Sequence, residues 1–310
     1  MLDQMSNYKK TSDNQPLVTI VTPTYNQAST LKQTIESVLS QDYPHVQYIV
    51  IDGASTDATC DILKQYDGQL QWISEKDKGQ TDAIAKGFAR AQGQMIAWLN
   101  SDDMYTPKAI STAVKALTQN PHTDLVYGDV DWLTHSGEFI AKCVSTEPYN
   151  RHRLLHVSNF ICQPTTFFNR SAYEAVGGVD RDLEYVMDYD LWLKLTKKKP
   201  AVFLPTTLAQ VRCYAQTKTA SGGQKRMREM ESMITRHGGK GLPAFYRIES
   251  ASLLLGDLIN NLKQFKLISG FKILVRILNK MFNCHVLRTI FSMQFLDILK
   301  IRKLRKKSQT

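Results

Sequence analysis

The sequence lacks any apolar stretch of the ~18 residues that a membrane-spanning helix requires. Its first fifteen residues are polar and contain no apolar core of a secretory signal. We therefore expect residues 1–15 to be disordered and the protein to be cytoplasmic. Cysteine is scarce, because the five cysteines are scattered, form no Cys-x-x-Cys pair and are odd in number. This pattern argues against a disulfide framework or a zinc cluster and is typical of buried thiols in a reducing compartment.

Several active-site motifs are missing as well. There is no Gly-x-Ser-x-Gly, no His-Glu-x-x-His and no P-loop, which argues against a serine hydrolase, a zinc protease and a P-loop nucleotide hydrolase. Acids are nearly absent from residues 261–310, where twelve Lys or Arg accompany Asp297 alone. The first 260 residues carry 27 basic and 28 acidic residues, so the net charge of +10 belongs to the tail.

Residues 17–99 alternate between apolar runs and amphipathic segments. The runs LVTIVTP, VQYIVID, LQWIS and MIAWL predict four strands, and the segments between them predict three helices. In the first helix, Leu31, Ile35, Val38 and Leu39 share the predicted apolar face. Because the strands are continuously apolar, they are expected to be covered on both faces, in a mostly parallel sheet with right-handed crossovers.

The pattern from about residue 107 predicts mixed helices and strands. Predicted helices are PKAISTAVKALTQ, SAYEAVGG and DYDLWLKLTKKK, and predicted strands are DLVYGDVDWL, GEFIAKCV, PTTFFN, AVFLP and LAQVRCY. We expect these strands to add an antiparallel edge to the sheet. From Gly222 onward the sequence predicts helix to its end. The predicted organisation is a catalytic domain over residues 16–220 and a basic helical extension over 221–310.

Polar residues stand where the predicted parallel strands end, and ligands of open α/β sheets bind beyond the carboxyl ends of the strands. Asp102 and Asp103 follow the fourth strand. Two neighbouring carboxylates suit a hard divalent cation such as Mg²⁺ or Mn²⁺. Alternatively, Ser101 and Asp102 lie in a surface turn and cap the helix that begins near Pro107.

Three further acids, at the end of a predicted strand or the start of a predicted helix, are candidate site residues. Asp52, at the end of the second strand, can accept hydrogen bonds from a ligand, while Asp57 or Ser55 caps the next helix. Asp82 begins a predicted helix and is either a partner of a ligand hydroxyl or an ordinary N-terminal helix charge. Asp188 can take a proton from a hydroxyl, as a general base, or it can be a helix N-cap.

In this order the motifs resemble those of the family 2 glycosyltransferases of GT-A fold, over residues 18–219. The segments that carry the resemblance are VTIVTPTYNQ, VIDGASTDAT, DKGQTDAIAKGFARAQGQMIAWLNSDD and GGVDRDLEYVMDYDLWLKL. The resemblance implies an inverting transfer of a sugar from a nucleotide-diphospho-sugar, most often a UDP-sugar, with GDP and dTDP open. It also implies that Mg²⁺ or Mn²⁺ on the diphosphate offsets the charge of the leaving group.

The resemblance also implies a role for each candidate residue. Asp102 would be the main metal ligand with Asp103 beside it, and Asp188 would be the general base. Residues implied in binding the nucleotide or donor sugar are Thr22, Pro23, Tyr25, Asp52, Gln80, Asp82, Asn100, Ser101 and Arg212.

The sequence departs from the family pattern at several points. Gly53 stands where a second acid is usual, Asn100 where the first acid of the metal motif is usual, and Met187 where a Glu precedes the catalytic Asp. Tyr214 replaces a His that helps ligate the metal in many relatives, and Arg212 with Lys218 can neutralise phosphate instead. Since the Gln-x-x-Arg-Trp motif of processive synthases is absent, we expect one sugar to be added.

The tail contains an amphipathic basic helix over residues 270–291. It predicts either docking on an anionic membrane surface, which would make the protein peripheral, or packing on the catalytic body or in a homodimer. Its aromatic residues lie in apolar runs, which argues against nucleic acid. Docking suits a lipid-linked or glycan acceptor in cell-surface polysaccharide assembly by a hexosyltransferase-like enzyme. The alternatives are a nucleotidyltransferase and an inactive nucleotide-sugar-binding protein.

Overall fold

A nine-stranded sheet runs through the part of the chain that the computed structural model describes, residues 15–143, 145–214 and 217–263. The strands are β1 Val18–Thr24, β2 Val46–Asp52, β3 Gln71–Ser74, β4 Met95–Trp98, β5 Met104–Tyr105, β6 Leu125–Leu133, β7 Phe139–Lys142, β8 Phe167–Asn169 and β9 Val202–Arg212. Their order across the sheet is β3-β2-β1-β4-β8-β6-β9-β5, and β7 pairs with β6 outside this path.

Helices cover the sheet and extend beyond it. They are α1 Leu31–Leu39, α2 Thr59–Lys64, α3 Gln80–Phe88, α4 Ala109–Gln119, α5 Arg151–His156, α6 Arg170–Ala175, α7 Met187–Leu195, α8 Lys218–Ser221, α9 Gly223–Arg236 and α10 Ala244–Lys263. A 3₁₀ turn, Gln163–Thr165, precedes β8. No helix among the described residues is long and apolar enough to cross a membrane.

The predicted parallel half of the sheet is confirmed. β1 pairs in parallel with β2 and β4, and β2 pairs in parallel with β3. All residues of β1 and β4 are buried, as continuous apolar strands covered on both faces should be. In α1, Leu31, Ile35 and Val38 are buried, but Leu39 is 38% exposed. The prediction for Leu39 was wrong because the helix ends at this residue.

The second half differs from the prediction at β9. The segments AVFLP and LAQVRCY form one strand, and it pairs in parallel with β6 rather than adding an antiparallel edge. The interruption that the sequence suggested is a bulge, because the pairing passes from Leu204 directly to Thr207. Pro205 lies in this bulge, where its missing N–H costs no ladder hydrogen bond. The antiparallel additions are β5, β7 and β8.

The first part of the helical extension packs on the catalytic sheet. Met230, Met233 and Ile234 of α9 belong to the same apolar core as Trp98 of β4 and Trp192 of α7. The predicted amphipathic basic helix at 270–291 lies outside the described residues, and residues 1–14 do as well.

Candidate active site

A cleft of about 1080 Å³ opens at the carboxyl ends of β1, β2 and β4 and is closed on the far side by α7, α8 and the end of β9. Most residues predicted from the sequence line it. They are Pro23, Tyr25, Gln80, Asn100, Ser101, Asp102, Asp103, Asp188 and Arg212. The acids that follow β4 and the acid of α7, separated by more than eighty residues in sequence, therefore share one cavity.

Asp102 and Asp103 form a buried pair of carboxylates. Burial raises the pKa of Asp102, and it raises the pKa of Asp103 well above its usual range, to which the neighbouring Asp102 charge adds. The alternative that Asp102 caps α4 is wrong, since α4 begins at Ala109 after β5 and receives no side-chain cap hydrogen bond. A carboxylate charge next to a buried acid favours a cation beside the pair.

The donor chemistry fits Mg²⁺ or Mn²⁺. Both side chains offer carboxylate oxygens, and the oxygen-seeking Mg²⁺ is usually held by one or two carboxylates together with substrate phosphates. Within the described residues no group of three or more His, Cys, Asp or Glu is arranged to hold a metal. A metal at Asp102 and Asp103 would therefore complete its coordination with donor phosphate and water, and it would neutralise charge on the leaving diphosphate.

Three side chains surround this carboxylate pair. Tyr214 donates its hydroxyl proton to Asp102 Oδ2 at 2.8 Å. The ring of His135, in the β6–β7 turn, lies 4.7 Å from the ring of Tyr214. Arg212 is only 2% exposed, donates to the backbone oxygen of Asp102 at 2.6 Å and also contacts Gln33 Oε1. Arg212 thus holds the loop of the two acids in place.

A chain of amides connects the metal motif to the start of α3. Gln80 Nε2 donates to Asn100 Oδ1 at 2.7 Å, and Asn100 Nδ2 donates to Gln163 Oε1 at 3.0 Å and to Asp103 Oδ2 at 3.2 Å. Lys218 Nζ donates to Gln80 Oε1 at 3.3 Å, and burial lowers the pKa of Lys218. Asn100 therefore orients Asp103 by a hydrogen bond, which a third carboxylate at this position could not do.

Asp188 lies in the first turn of α7, and a second acid holds the loop that precedes this helix. The carboxylate of Glu229, on α9, accepts the backbone N–H groups of Glu184, Tyr185 and Val186 at 3.0, 2.6 and 2.9 Å. The N-cap position belongs to Val186, so the N-cap alternative for Asp188 is wrong, although its carboxylate accepts the backbone N–H groups of Asp188 and Tyr189. Burial raises the pKa of Asp188 to about 6, within reach of a proton exchange at neutral pH.

The acid two residues later has a different role. Asp190 is 2% exposed, meets His237 Nε2 at 2.8 Å and forms an ion pair with Lys194 at 2.7 Å. Burial opposes ionisation, yet the hydrogen bonds from His237 and Lys194 outweigh it and lower the pKa of Asp190. Asp190 attaches the end of α9 to α7.

The site and fold can be compared with known proteins. The model of the family described as "Glycosyl transferase family 2" matches residues 19–177, just over half of the chain. The chain belongs to this family.

Among its relatives is an uncharacterised glycosyltransferase of Rickettsia typhi, 26% identical over 235 residues, which covers 72% of each chain. A teichuronic acid biosynthesis glycosyltransferase, TuaG of Bacillus subtilis, is 40% identical over 105 residues, 33% of this chain and 39% of TuaG. The expected glycosyltransferase identity is thereby confirmed.

Two solved structures show the fold. PcManGT, a mannosyltransferase from Pyrobaculum calidifontis in complex with GDP-Man and Mn²⁺, has a TM-score of 0.58 at 17% identity and covers 96% of this chain and 88% of its own. S. aureus TarS 1–349 in complex with UDP-GlcNAc has a TM-score of 0.58 at 17% identity, over 77% of this chain and 71% of TarS 1–349. The predicted GT-A fold is confirmed.

Three predicted residues of this glycosyltransferase do not line the cleft. Thr22 is fully buried and shares a hydrogen bond with Tyr48 at 3.1 Å. Asp52 is fully buried, and its oxygens accept hydrogen bonds from Ser55 and Ser74. Asp82 accepts from the Lys78 N–H and pairs with Lys86 and Arg181.

Other cleft residues were not among the predicted site residues. Asp77 and Gln163 line the cleft, and so do Asn159, Trp132 and Tyr185 near its far side. Asp77 had a usable signal, because it follows β3 in the same way that Asp102 follows β4. The remaining four lie on loops and late elements whose position depends on the folded chain.

Proposed function

We propose that this glycosyltransferase inverts the anomeric configuration while it moves one sugar from a nucleotide-diphospho-sugar to an acceptor hydroxyl. The observation that carries the proposal is that Asp188 and the Asp102–Asp103 pair line one cleft. Burial raises the pKa of Asp188 to about 6, against the opposing effect of the backbone N–H groups of Asp188 and Tyr189 that its carboxylate accepts. A base and a cation site on one cavity are what a single displacement needs.

The donor would bind along the sheet edge. Tyr25 is 58% exposed at the mouth of the cleft, beside Pro23, and offers an aromatic face for a nucleobase. The diphosphate would lie at Asp102 and Asp103 with the divalent metal. Lys218 is a counter-charge on the opposite wall, where it interacts with Asp188 and Asp77. UDP is supported by the likeness to TarS with UDP-GlcNAc, and GDP by the likeness to PcManGT with GDP-Man.

In the reaction, an oxygen of Asp188 accepts the proton of the acceptor hydroxyl as that hydroxyl attacks the anomeric carbon. The new carbon–oxygen bond forms on the face opposite the diphosphate, the bond to the phosphate oxygen breaks, and its electron pair leaves with the nucleoside diphosphate. Lys218 offsets negative charge on that product. One displacement of this kind inverts the anomeric centre.

The acceptor would be a glycan or a lipid-linked glycan in cell-surface polysaccharide assembly. The name of the relative TuaG, which concerns teichuronic acid biosynthesis, supports this acceptor class. The apolar and aromatic wall formed by Trp132, Tyr185 and Met187 suits the apolar face of a sugar ring.

The test is hydrolysis of UDP- and GDP-sugars with Mn²⁺, which needs no acceptor. We expect Asp188→Asn to lower kcat by roughly 10²- to 10⁴-fold with an unchanged Kd for the nucleotide. The matched control is Asp182→Asn, an exposed acid of the preceding loop, which should leave both quantities unchanged. A wild type that binds nucleotide but neither hydrolyses nor transfers sugar would contradict the proposal and favour a binding protein.

A further inference from the structure

Arg226 is a buried cation of α9, in the part of the helical extension that packs against α7. It is 7% exposed, and its Nη2 donates to Glu249 Oε1 of α10 in an ion pair. Among the residues that the structure describes, none accepts a hydrogen bond from Arg226 Nε. Because a buried charge is costly unless it is well paired, one carboxylate leaves Arg226 able to interact with a second anion.

The face of α9 that carries Arg226 lies against the start of α7. Glu229, one turn after Arg226, accepts the backbone N–H groups of Tyr185 and Val186, which precede α7. A Cβ built on Gly222 would lie 2.8 Å from both the Cβ of Arg226 and the ring of Tyr185. These contacts fix the beginning of α9 next to the first turn of α7.

Two tyrosine rings complete this cluster between α9, α10 and α7. The guanidinium carbon of Arg226 lies 5.9 Å from the centre of the Tyr246 ring, and that ring lies 6.3 Å from the ring of Tyr189. Tyr189 directly follows Asp188 in α7. Because Arg226, Tyr246 and Tyr189 are all buried, water screens the interaction between the charges of Arg226 and Asp188 only weakly.

Several groups act on the charge of Asp188 besides Arg226. The titratable and charged groups around it are Lys218 of α8, Arg226 and Glu229 of α9, Tyr246 and Glu249 of α10 and Tyr189 of α7. Burial raises the pKa of Asp188 to about 6, and the charges of Arg226 and Lys218 both oppose this rise. Lys218 lines the cleft, where a bound diphosphate would compete for its charge, whereas Arg226 does not line it.

We propose that Arg226, aligned by Glu249, is a positioning residue of the transfer reaction, whose charge keeps the carboxylate of Asp188 ionised and ready for the acceptor proton. This inference rests on the proposed function of Asp188 as the base. It gives α9 and α10 a part in the reaction, although both lie outside residues 19–177 that the family model matches.

The proton transfer itself does not involve Arg226. The proton passes from the acceptor hydroxyl to Asp188, which becomes a neutral carboxyl group, while the guanidinium group stays protonated throughout. The attraction favours the carboxylate over the carboxyl group, so it extends the activity of the enzyme to lower pH. It does not make Asp188 a stronger base, and the maximal rate should not depend on it.

The experiment measures kcat as a function of pH for hydrolysis of a UDP- or GDP-sugar with Mn²⁺ by the full chain. In Arg226→Met the midpoint of the fall in kcat at low pH should rise by roughly 0.5 to 1 pH unit, with the high-pH plateau retained. In Glu249→Gln the midpoint should fall, because Arg226 keeps its charge and loses the anion that partly cancels it. Arg226→Lys preserves the charge and should restore a midpoint near that of the wild type.

Two further variants control for net charge and for folding. Arg228→Met makes the same change in net charge at an exposed position of α9 and should leave the midpoint unchanged. Arg226→Met combined with Glu249→Gln removes the whole pair, and replacing a buried ion pair with neutral groups is often tolerated. Its midpoint should still exceed that of the wild type, because Arg226 acts on Asp188 more strongly than Glu249 does.

A wild-type midpoint in Arg226→Met and in the double variant, with kcat lowered equally at every pH, would overturn the inference and leave Arg226 a structural residue. Shifts in the same direction in Arg226→Met and Glu249→Gln would overturn it too.

The behaviour of Asp188 separates this inference from the proposed function. If kcat of the wild type does not fall at low pH, or if the midpoint of the fall stays unchanged in Asp188→Glu, the proposed base is wrong and the inference fails with it. If the midpoint moves in Asp188→Glu but stays in place in Arg226→Met, only the role of Arg226 is overturned.

Discussion

The hydroxyl of Tyr214 donates to Asp102 Oδ2 across 2.8 Å, so the acid expected to bind the metal already has a protein partner. Burial opposes the charge of Asp102, and this hydrogen bond partly offsets that cost. A metal approaching Asp102 must share or displace the phenol. We therefore expect Tyr214 to set how tightly a metal would bind here in the absence of the diphosphate.

We predict that Tyr214→His binds Mn²⁺ more tightly, because an imidazole replaces a neutral phenol as a ligand next to Asp102. Titration of free Mn²⁺ by electron paramagnetic resonance, with and without UDP, measures the affinity. Tyr214→Phe is the matched control, since it removes the hydrogen bond and adds no ligand. An equal gain in both variants would attribute the effect to the release of Asp102, and no gain in either would contradict the prediction.

A second prediction concerns the pH dependence of the transfer rate. Since burial raises the pKa of Asp188 to about 6, this base is ionised above that pH and protonated below it. We expect kcat to fall about tenfold per pH unit below pH 6 and to level off above pH 7. Asp188→Glu is the informative variant. If it keeps some activity and the midpoint of the fall in kcat moves to another pH, the fall is due to the ionisation of this residue. If the fall in kcat at low pH keeps its midpoint in Asp188→Glu, Asp188 is not the group whose protonation lowers the rate.

Lys218 carries the third prediction. Its ammonium group lies at the cleft with its pKa lowered by burial, and it donates to Gln80. Lys218→Met should raise the Kd for UDP more than that for uridine, because the diphosphate loses a counter-charge and the base contacts remain. Lys225→Met is the matched control on the adjoining helix, since Lys225 is exposed and pairs with Glu184. Equal losses for UDP and uridine would contradict a role at the phosphates.

The parallel half of the fold was predictable because its strands are continuous apolar runs separated by amphipathic helices. The late strands were harder to predict for an identifiable reason. Pro205 breaks the apolar pattern of β9, and the sequence does not show that the break is a bulge inside one strand. The direction of β9 depends on its pairing with β6, and this pairing is determined by the tertiary structure rather than by the local sequence.

The site residues also divide into those that the sequence pattern predicts and those whose position depends on tertiary contacts. Strand ends predicted Asp102 and Asp103, and family motifs predicted Asp188. The sequence could not show that Ser74 donates to Asp52, or that Glu229 of α9 holds the loop before α7, because these hydrogen bonds join separate segments. Asp77 was missed because its carboxylate lies against Gly53, a contact between two loops that follow different strands.

The last prediction compares Asp188 with Asp190, which lies two residues later on α7. Replacing the two acids should change the free energy of unfolding in opposite directions. The folded-state pKa of Asp188 is raised to about 6, so its charge destabilises the fold above that pH and costs nothing once it is protonated. Asp188→Asn should therefore raise the free energy of unfolding at pH 8, by up to roughly 3 kcal/mol, and the gain should disappear below pH 4.

Asp190 has a lowered pKa, so its charge stabilises the fold above its unfolded pKa, and that stability is lost as the pH falls through the folded value. Asp190→Asn should lower the free energy of unfolding at pH 8 by roughly 3 kcal/mol, because it breaks a buried pair with Lys194 and His237. Urea unfolding at pH 8 and pH 4 measures both variants. His237→Ala should resemble Asp190→Asn, whereas His122→Ala, at an exposed position, should be neutral. Destabilisation by Asp188→Asn at pH 8 would mean that its carboxylate supports the fold, and a free base at the cleft would then be the wrong description of this residue.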